Sequence, residues 1–174
     1  SWEGVYFDIN QQGMDQMMAD IDSMGGELFV MDDGWFGAKY SRKNDSSSLG
    51  DWVVDKNKLP DGVKGLLSDA KKRGIKFGIW IEPEMANTTS ELYEQHPDWV
   101  LKAPERDLVL GRGGTQVVLD LANPAVQDFV FGVVDNLMTS YPEIDYIKWD
   151  ANLAVLNHGS QYLTQDNQSH MYIA

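Results

Sequence analysis

Acidic side chains in this sequence fall directly after short apolar, β-favouring runs. Asp8 follows Val5-Tyr6-Phe7, and Asp32-Asp33 follow Leu28-Phe29-Val30-Met31. Glu82 and Glu84 come after Ile79-Trp80-Ile81, and Asp150 after Tyr146-Ile147-Lys148-Trp149. A carboxylate can serve as a nucleophile, as a general acid or base, or as a ligand for a hard cation. Lys148 stands two residues before Asp150, and side chains two apart share one face of a strand. A cation beside a carboxylate favours its ionised form and lowers its pKa, which is the form a nucleophile or a metal ligand requires. By the same alternation Gly78, Trp80 and Glu82 share one face of their run, while Phe77, Ile79 and Ile81 share the other.

These residues need elements to position them. A strand is expected over 5–9, then a helix with Met14, Met17, Met18, Ile21 and Met24 on one face, closed by Gly25-Gly26. A second strand is expected over 27–31. Its helix starts at Pro60, buries Val63, Leu66, Leu67 and Ala70, and ends with Lys71-Lys72-Arg73 before Gly74. The third strand spans 75–81, with a short helix at 90–95 and a further extended run over 116–121. Asn123-Pro124 opens a long helix with Phe129, Val130, Val133 and Leu137 on its apolar face, stopped by Pro142. A last strand covers 146–149. Strands alternating with helices predict an α/β fold with parallel strands, a partial TIM (β/α)8 barrel of about four βα units. In barrels the active site lies at the carboxyl ends of the strands, where these carboxylates would converge. The loops leaving those ends, 34–59 and 83–115, are long, and the polar stretch 39–50 reads as mobile.

The 174 residues include 27 acidic and 14 basic side chains, for a net charge of −13. That balance argues against nucleic acid as a partner, which needs a basic surface. With no cysteine, thiolate metal sites and thiol nucleophiles are excluded. No apolar run is long enough to cross a bilayer, so no membrane partner is expected. The histidines have no ligand-like spacing. A complete barrel needs roughly 250 residues. Residues 1–174 are therefore expected to be the N-terminal half of a larger barrel domain, opening in a strand and closing in a helical turn at 168–174. Open strand edges at the first and fourth strands predict self-association, a homo-oligomer. The compartment is not legible.

Six tryptophans are present. Trp35, Trp52 and Trp80 lie in or beside the expected mouth, while Trp2, Trp99 and Trp149 read as packing residues. An aromatic face packs against the C–H face of a sugar ring, and carboxylates, amides and lysine bind hydroxyls. Carbohydrate is the first substrate class suggested.

Five ordered motifs carry a resemblance: Asp32-Asp33-Gly34-Trp35-Phe36-Gly37, Gly50-Asp51-Trp52, Gly78-Ile79-Trp80-Ile81-Glu82-Pro83-Glu84-Met85, Val118-Leu119-Asp120-Leu121, and Tyr146-Ile147-Lys148-Trp149-Asp150-Ala151-Asn152. Together they resemble the α-galactosidases of glycoside hydrolase family 36, the melibiases. The resemblance implies a retaining double displacement on α-galactosides, without a cofactor. It implies Asp150 as the nucleophile, Asp32 and Asp33 on galactose hydroxyls, Trp80 lining the sugar site, and Lys148 and Asn152 near the same ring. Arg112 resembles the family arginine ahead of the Val-Leu-Asp strand, with Gly113-Gly114-Thr115 lengthening the spacing. Leu153 stands where the family commonly has arginine. The family's acid/base aspartate has no match in residues 1–174.

Two other classes fit the residues taken alone. Asp32, Glu82, Asp120 and Asp150 could bind Mg²⁺ in a metal-dependent barrel enzyme with Lys148 as base. The tryptophans and acids also suit a non-catalytic sugar-binding module. Within the glycosidase reading, Glu82 or Asp120 could stand in as acid/base, and a transferase would use the same intermediate.

Overall fold

Three parallel strands form the sheet that positions the candidate residues. In the computed structural model, which describes residues 1–152, 159–164 and 167, they are β1 (Leu28–Met31), β2 (Lys76–Ile81) and β5 (Tyr146–Trp149), hydrogen-bonded in the order β1-β2-β5. Their register aligns Val30 with Gly78 and Gly78 with Tyr146, then Trp80 with Lys148. Residues two apart on each strand therefore form one continuous face across the sheet.

The expected first strand is not a strand. Trp2–Val5 form one helical turn, α1, and Tyr6 turns the chain with a φ of 47°. Trp2 packs edge-on against both Tyr6 and Phe7, at ring separations of 5.2 and 5.0 Å. Local ring packing thus overrides the β preference of Val-Tyr-Phe, which was always conditional on a sheet to join. Asp8 is consequently exposed in a turn and ends no strand. The start of the chain instead borders β1: the Ser1 ammonium donates to the Val30 carbonyl at 2.8 Å, and the Asp32 amide donates to Ser1 Oγ at 3.0 Å.

The helices fall in the expected segments, except that the one expected to start at Pro60 starts at Gly62. Helix α2 (Gln11–Ser23) is capped by Asn10, which accepts from the Gly13 amide, and buries Met14 and Met18. Met24 drops out of the stripe: the helix ends at Ser23, and the Met24 side chain is 76% exposed. Helix α3 (Gly62–Arg73) buries Val63, Leu66, Leu67 and Ala70, and Gly74 closes it in the left-handed conformation. Helix α5 (Pro124–Ser140) has Asn123 as cap and Val126, Val130, Val133 and Leu137 as its buried stripe. The main core joins α2 and α3 to Phe29, Met31, Phe77, Ile79 and Ile81 on the helix-covered face of the sheet.

The extended run after residue 116 does not join the parallel sheet. β4 (Gln116–Val118) pairs antiparallel with β3 (Met85–Asn87), and helix α4 (Glu91–Gln95) lies between them in sequence. A second core of Ala86, Leu92, Val117, Leu119, Val126 and Val130 sits under this excursion. Single 3₁₀ turns occur at Pro97–Trp99 and Arg112–Gly114.

The stretch 39–50, expected to be mobile, is anchored. Arg42, Ser48 and Leu49 are fully buried. Asn87 accepts from the Leu49 amide and from Arg42, and donates to the carbonyls of Asp45 and Thr115. Lys58 donates to the carbonyls of Phe7, Gly34 and Arg42 at 2.8, 2.7 and 2.6 Å. Its polarity reflects internal hydrogen bonding rather than solvation. Among the described residues no helix is long and apolar enough to cross a membrane. The helical turn expected over 168–174 lies outside the described residues.

Candidate active site

The inward face of the sheet ends in a compact polar group. Gly78 lets β5 approach β2: a Cβ there would meet Tyr146 Cδ1, the Tyr146 carbonyl oxygen and Val30 Cγ2, each at 3.1 Å. Two residues further along each strand, Lys148 Nζ lies 2.8 Å from Asp32 Oδ2 and 4.0 Å from Asp150 Oδ2. The Trp80 indole N–H donates to Asp150 Oδ2 at 3.0 Å. The strand ends therefore bring Asp32, Trp80, Lys148 and Asp150 together, as the alternation of side chains predicts.

Electrostatics separate the acids. Burial opposes ionisation of Asp150, but hydrogen bonds from Trp80, Asn152 and the Ala151 amide, with the Lys148 charge, overcome it and hold its pKa below the ordinary aspartate value. Burial likewise works to lower the pKa of Lys148, yet the hydrogen bond to Asp32 and the charges of Asp32 and Asp150 raise it. Glu82 goes the other way. It is 3% exposed, and burial pushes its carboxyl up, helped by the Asp150 charge and resisted by hydrogen bonds from Asn152 and the Arg112 charge. Two carboxyls with pKa values driven apart are the usual arrangement where one must stay charged.

Asp33 has a different setting from its neighbour. Arg42 Nε donates to Asp33 Oδ1 at 3.0 Å and Nη2 to Oδ2 at 2.7 Å, a bidentate pair that is almost completely buried. Burial raises the Asp33 carboxyl despite this partner. Arg112, with a φ of 44°, pairs with Asp45 at 3.2 Å on the adjoining loop. Asn152 reaches the site through its backbone, donating to Glu82 Oε1 at 2.5 Å, and through its side chain, which hydrogen-bonds Asp150 and Glu82.

The tryptophans are placed otherwise than an open sugar platform. Trp35 and Trp80 are 0% and 2% exposed, and the Trp35 indole donates to the Trp80 carbonyl at 2.9 Å. Phe36 and Trp52 pack on Trp80, each at 6.1 Å between ring centroids. Trp149, read as a core residue, is 48% exposed and donates to Glu84 Oε2 at 2.6 Å. Asp51 of the Gly-Asp-Trp motif caps α4, accepting from the Glu91 and Leu92 amides. Asp120 is buried and accepts from Ser160 Oγ at 2.6 Å.

Sequence reasoning missed Arg42 and Asn87. Neither sits in a periodic pattern, and an arginine in a polar loop carries no signal of burial. Among the described residues no cluster of three or more histidines or carboxylates could hold a metal ion. The space between Asp32 and Asp150 that a cation would need is taken by the Lys148 ammonium.

Comparison with known proteins bears on what this group does. The profile of the family described as Melibiase matches residues 1–174. The chain is 45% identical over 162 residues to a probable α-galactosidase C of Aspergillus flavus, which covers 89% of this chain and 21% of that protein. It is 41% identical over 176 residues to the α-galactosidase AgaA of Geobacillus stearothermophilus, covering 99% of this chain and 23% of the relative. A crystal structure of an AgaA variant with 1-deoxygalactonojirimycin superimposes with a TM-score of 0.89 at 39% identity, over 99% of this chain and 24% of that one. A further AgaA variant, solved in complex with raffinose, gives the same TM-score of 0.89, identity and coverage. The chain thus spans between a fifth and a quarter of the length of these relatives.

Proposed function

The chain belongs to the melibiase family, and from that premise we propose that it forms the N-terminal half of the catalytic barrel of a retaining α-galactosidase. Its substrates are then oligosaccharides with terminal α-galactosyl groups, the class represented by the raffinose bound to the AgaA variant. The observation that carries the assignment is Asp150. It closes β5 with its carboxylate held ionised by Trp80, Asn152 and Lys148, and it stands in the Lys-Trp-Asp motif.

In the proposed reaction, a carboxylate oxygen of Asp150 attacks the anomeric carbon of galactose. The glycosidic C–O bond breaks as its oxygen takes a proton from a general acid. A galactosyl ester of Asp150 results. Water then attacks the same carbon, losing its proton to that acid's conjugate base, and Asp150 leaves as carboxylate. The two carboxyl groups of a retaining enzyme lie about 5–5.5 Å apart. We assign the second to an aspartate on a later strand of the barrel, outside residues 1–174. Asp32 and Lys148 flank Asp150 and supply an acceptor and a donor for galactose hydroxyls. Asp33, Arg112 and Asn152 complete the proposed sugar-binding set, and Trp80 bounds it from β2 through the edge of its indole.

An activated fluoro-galactoside tests this in the full-length enzyme carrying the segment. The covalent label is expected on the peptide containing Asp150; a label elsewhere overturns the nucleophile assignment. Asp150→Asn is expected to abolish turnover and keep galactose binding; unchanged turnover would overturn the nucleophile assignment, and a parent enzyme that binds galactose without turning over α-galactosides would leave only a sugar-binding module. We also propose self-association through the open edges of the sheet, where Tyr146 and Trp149 are about half exposed. Light scattering on residues 1–174, whose sheet edges the later strands of a complete barrel would cover, measures it, and a monodisperse monomer would refute it.

A further inference from the structure

A set of hydrogen bonds ties the end of β2 to the Asp150 segment. The Asp150 amide donates to the Ile81 carbonyl at 2.9 Å, continuing the sheet. Beyond it, side chains take over. Trp80 donates to the Asp150 carboxylate, the Trp149 indole donates to Glu84, and the Asn152 amide donates to Glu82. Glu82 and Glu84 flank Pro83, and each accepts from a residue at or just beyond the end of β5. Only Glu82 does so from inside: it is 3% exposed, whereas the contact of Glu84 is at the surface. The groups facing Glu82 and Asp150 are Lys148 on β5, Asp32 at the end of β1 and Arg112 on the adjoining turn.

A carboxylate that ends a barrel strand is the position where a reacting group is expected, yet Glu82 points its oxygen at backbone. It accepts from the amide two residues beyond Asp150 and from the Asn152 side chain, which also reaches Asp150. Fixing that amide fixes the exit of the chain from β5. The Asp150 side chain, which also meets Lys148 and the Ala151 amide, is thereby held between Trp80 and a defined turn.

We propose that Glu82 is a positioning residue for Asp150, acting through the Asn152 amide rather than on the sugar. The proposal rests on the assignment of Asp150 as nucleophile. A nucleophile displaced by about 1 Å can lose about a hundredfold in rate, so a buried acceptor for a single amide is enough to matter.

The test uses the full-length enzyme and two substitutions. Glu82→Gln keeps a carbonyl oxygen for the Asn152 amide, while Glu82→Ala removes it. The rate of covalent labelling at Asp150 by an activated fluoro-galactoside is expected to fall about ten- to a hundredfold in Glu82→Ala. Glu82→Gln is expected to stay within about threefold of the parent, and competitive inhibition by galactose within about twofold in both. Equal losses in the two variants, a labelling rate unchanged in Glu82→Ala, or weakened galactose inhibition in parallel would each overturn the proposal. If Glu82→Ala does not fold, Glu82→Leu removes the acceptor while filling its space: labelling at least about tenfold slower than in Glu82→Gln supports the proposal, and a rate equal to that of Glu82→Gln overturns it. Label on a residue other than Asp150 in the parent enzyme would sink the nucleophile assignment and is distinguishable from all of these.

Discussion

The indole nitrogen of Trp80 lies 3.0 Å from Oδ2 of Asp150, joining the ends of β2 and β5 by a bond between side chains seventy residues apart. It is a donor to the charged form of the acid and so helps keep Asp150 ionised. Replacing Trp80 by phenylalanine keeps most of the ring and deletes the donor. The Asp150 pKa is depressed in the folded enzyme, and losing the donor raises it. The acidic limb of kcat/KM should therefore move to higher pH, by up to about one unit. A pH–rate profile of Trp80→Phe measures this, and a limb that stays put or moves down would contradict the role given to the bond.

Lys148 offers a second handle on the same acid. Its ammonium lies 2.8 Å from Asp32 and 4.0 Å from Asp150, with 40% of the side chain exposed. Lys148→Met leaves the two carboxylates facing one another without a cation. We expect kcat/KM to fall about a hundredfold, comparable to loss of one preorganised donor, with weaker inhibition by galactose. A variant with nearly normal kinetics would show that Asp32 and Asp150 need no shared counter-charge.

The positions of these four residues were legible for a simple reason: a strand has period two, and the segment 146–149 coincides with β5. The cap at Asn123-Pro124 was equally legible, because it acts within a few residues of its partner, whereas Ser90, read inside its short helix, caps it instead. What escaped were contacts made across loops. Arg42 meets Asp33 through a turn with no repeating pattern, and Ser160 meets Asp120 from forty residues away. Val5-Tyr6-Phe7 looked like a strand because β-favouring residues mark any half-buried surface, and Trp2 supplied a different one. Trp149 read as core, yet the outer face of β5 is half exposed.

The Arg42–Asp33 pair predicts a stability effect of its own, separate from the part proposed for Asp33 in sugar binding. Both side chains are at least nine-tenths buried, at 1% and 7% exposure. Arg42→Ala strands a buried carboxylate, which costs about 3–5 kcal/mol. Adding Asp33→Asn to Arg42→Ala removes the stranded charge and should recover part of the loss. Thermal or urea unfolding of the two variants checks this; a double variant less stable than Arg42→Ala would show that Asp33 is held by other groups.

Several buried acids give the fold a pH dependence of definite sign. Burial raises the carboxyls of Asp33, Asp51, Glu82 and Asp120 above their ordinary values. A raised carboxyl favours folding below its unfolded pKa, and that contribution is lost as pH climbs through the folded value. Asp150 acts oppositely, stabilising above its unfolded pKa. The raised set outnumbers it, so the unfolding midpoint should increase as pH drops through the interval above the ordinary carboxylate pKa of about 4, then decline in the interval below it. A midpoint that falls steadily over the upper interval at constant ionic strength would reverse the sign.

Gly78 sets the spacing on which the whole group depends. An added methyl would meet Val30 Cγ2 and Tyr146 Cδ1, and also the Tyr146 carbonyl oxygen, all at 3.1 Å. Tyr146 is 48% exposed, so its ring can swing aside. The carbonyl oxygen is backbone and cannot. Gly78→Ala should therefore push β5 away from β2 at the position two residues before the Trp80–Lys148 pairing. We expect a loss of about 1–3 kcal/mol in stability and, because Lys148 and Asp150 travel with the strand, about a tenfold fall in kcat/KM. Adding Tyr146→Ala frees the ring contact but leaves the carbonyl, so only part of the loss should return. Full recovery would assign the effect to the tyrosine ring, and a neutral Gly78→Ala would show that the sheet spreads there without moving the site.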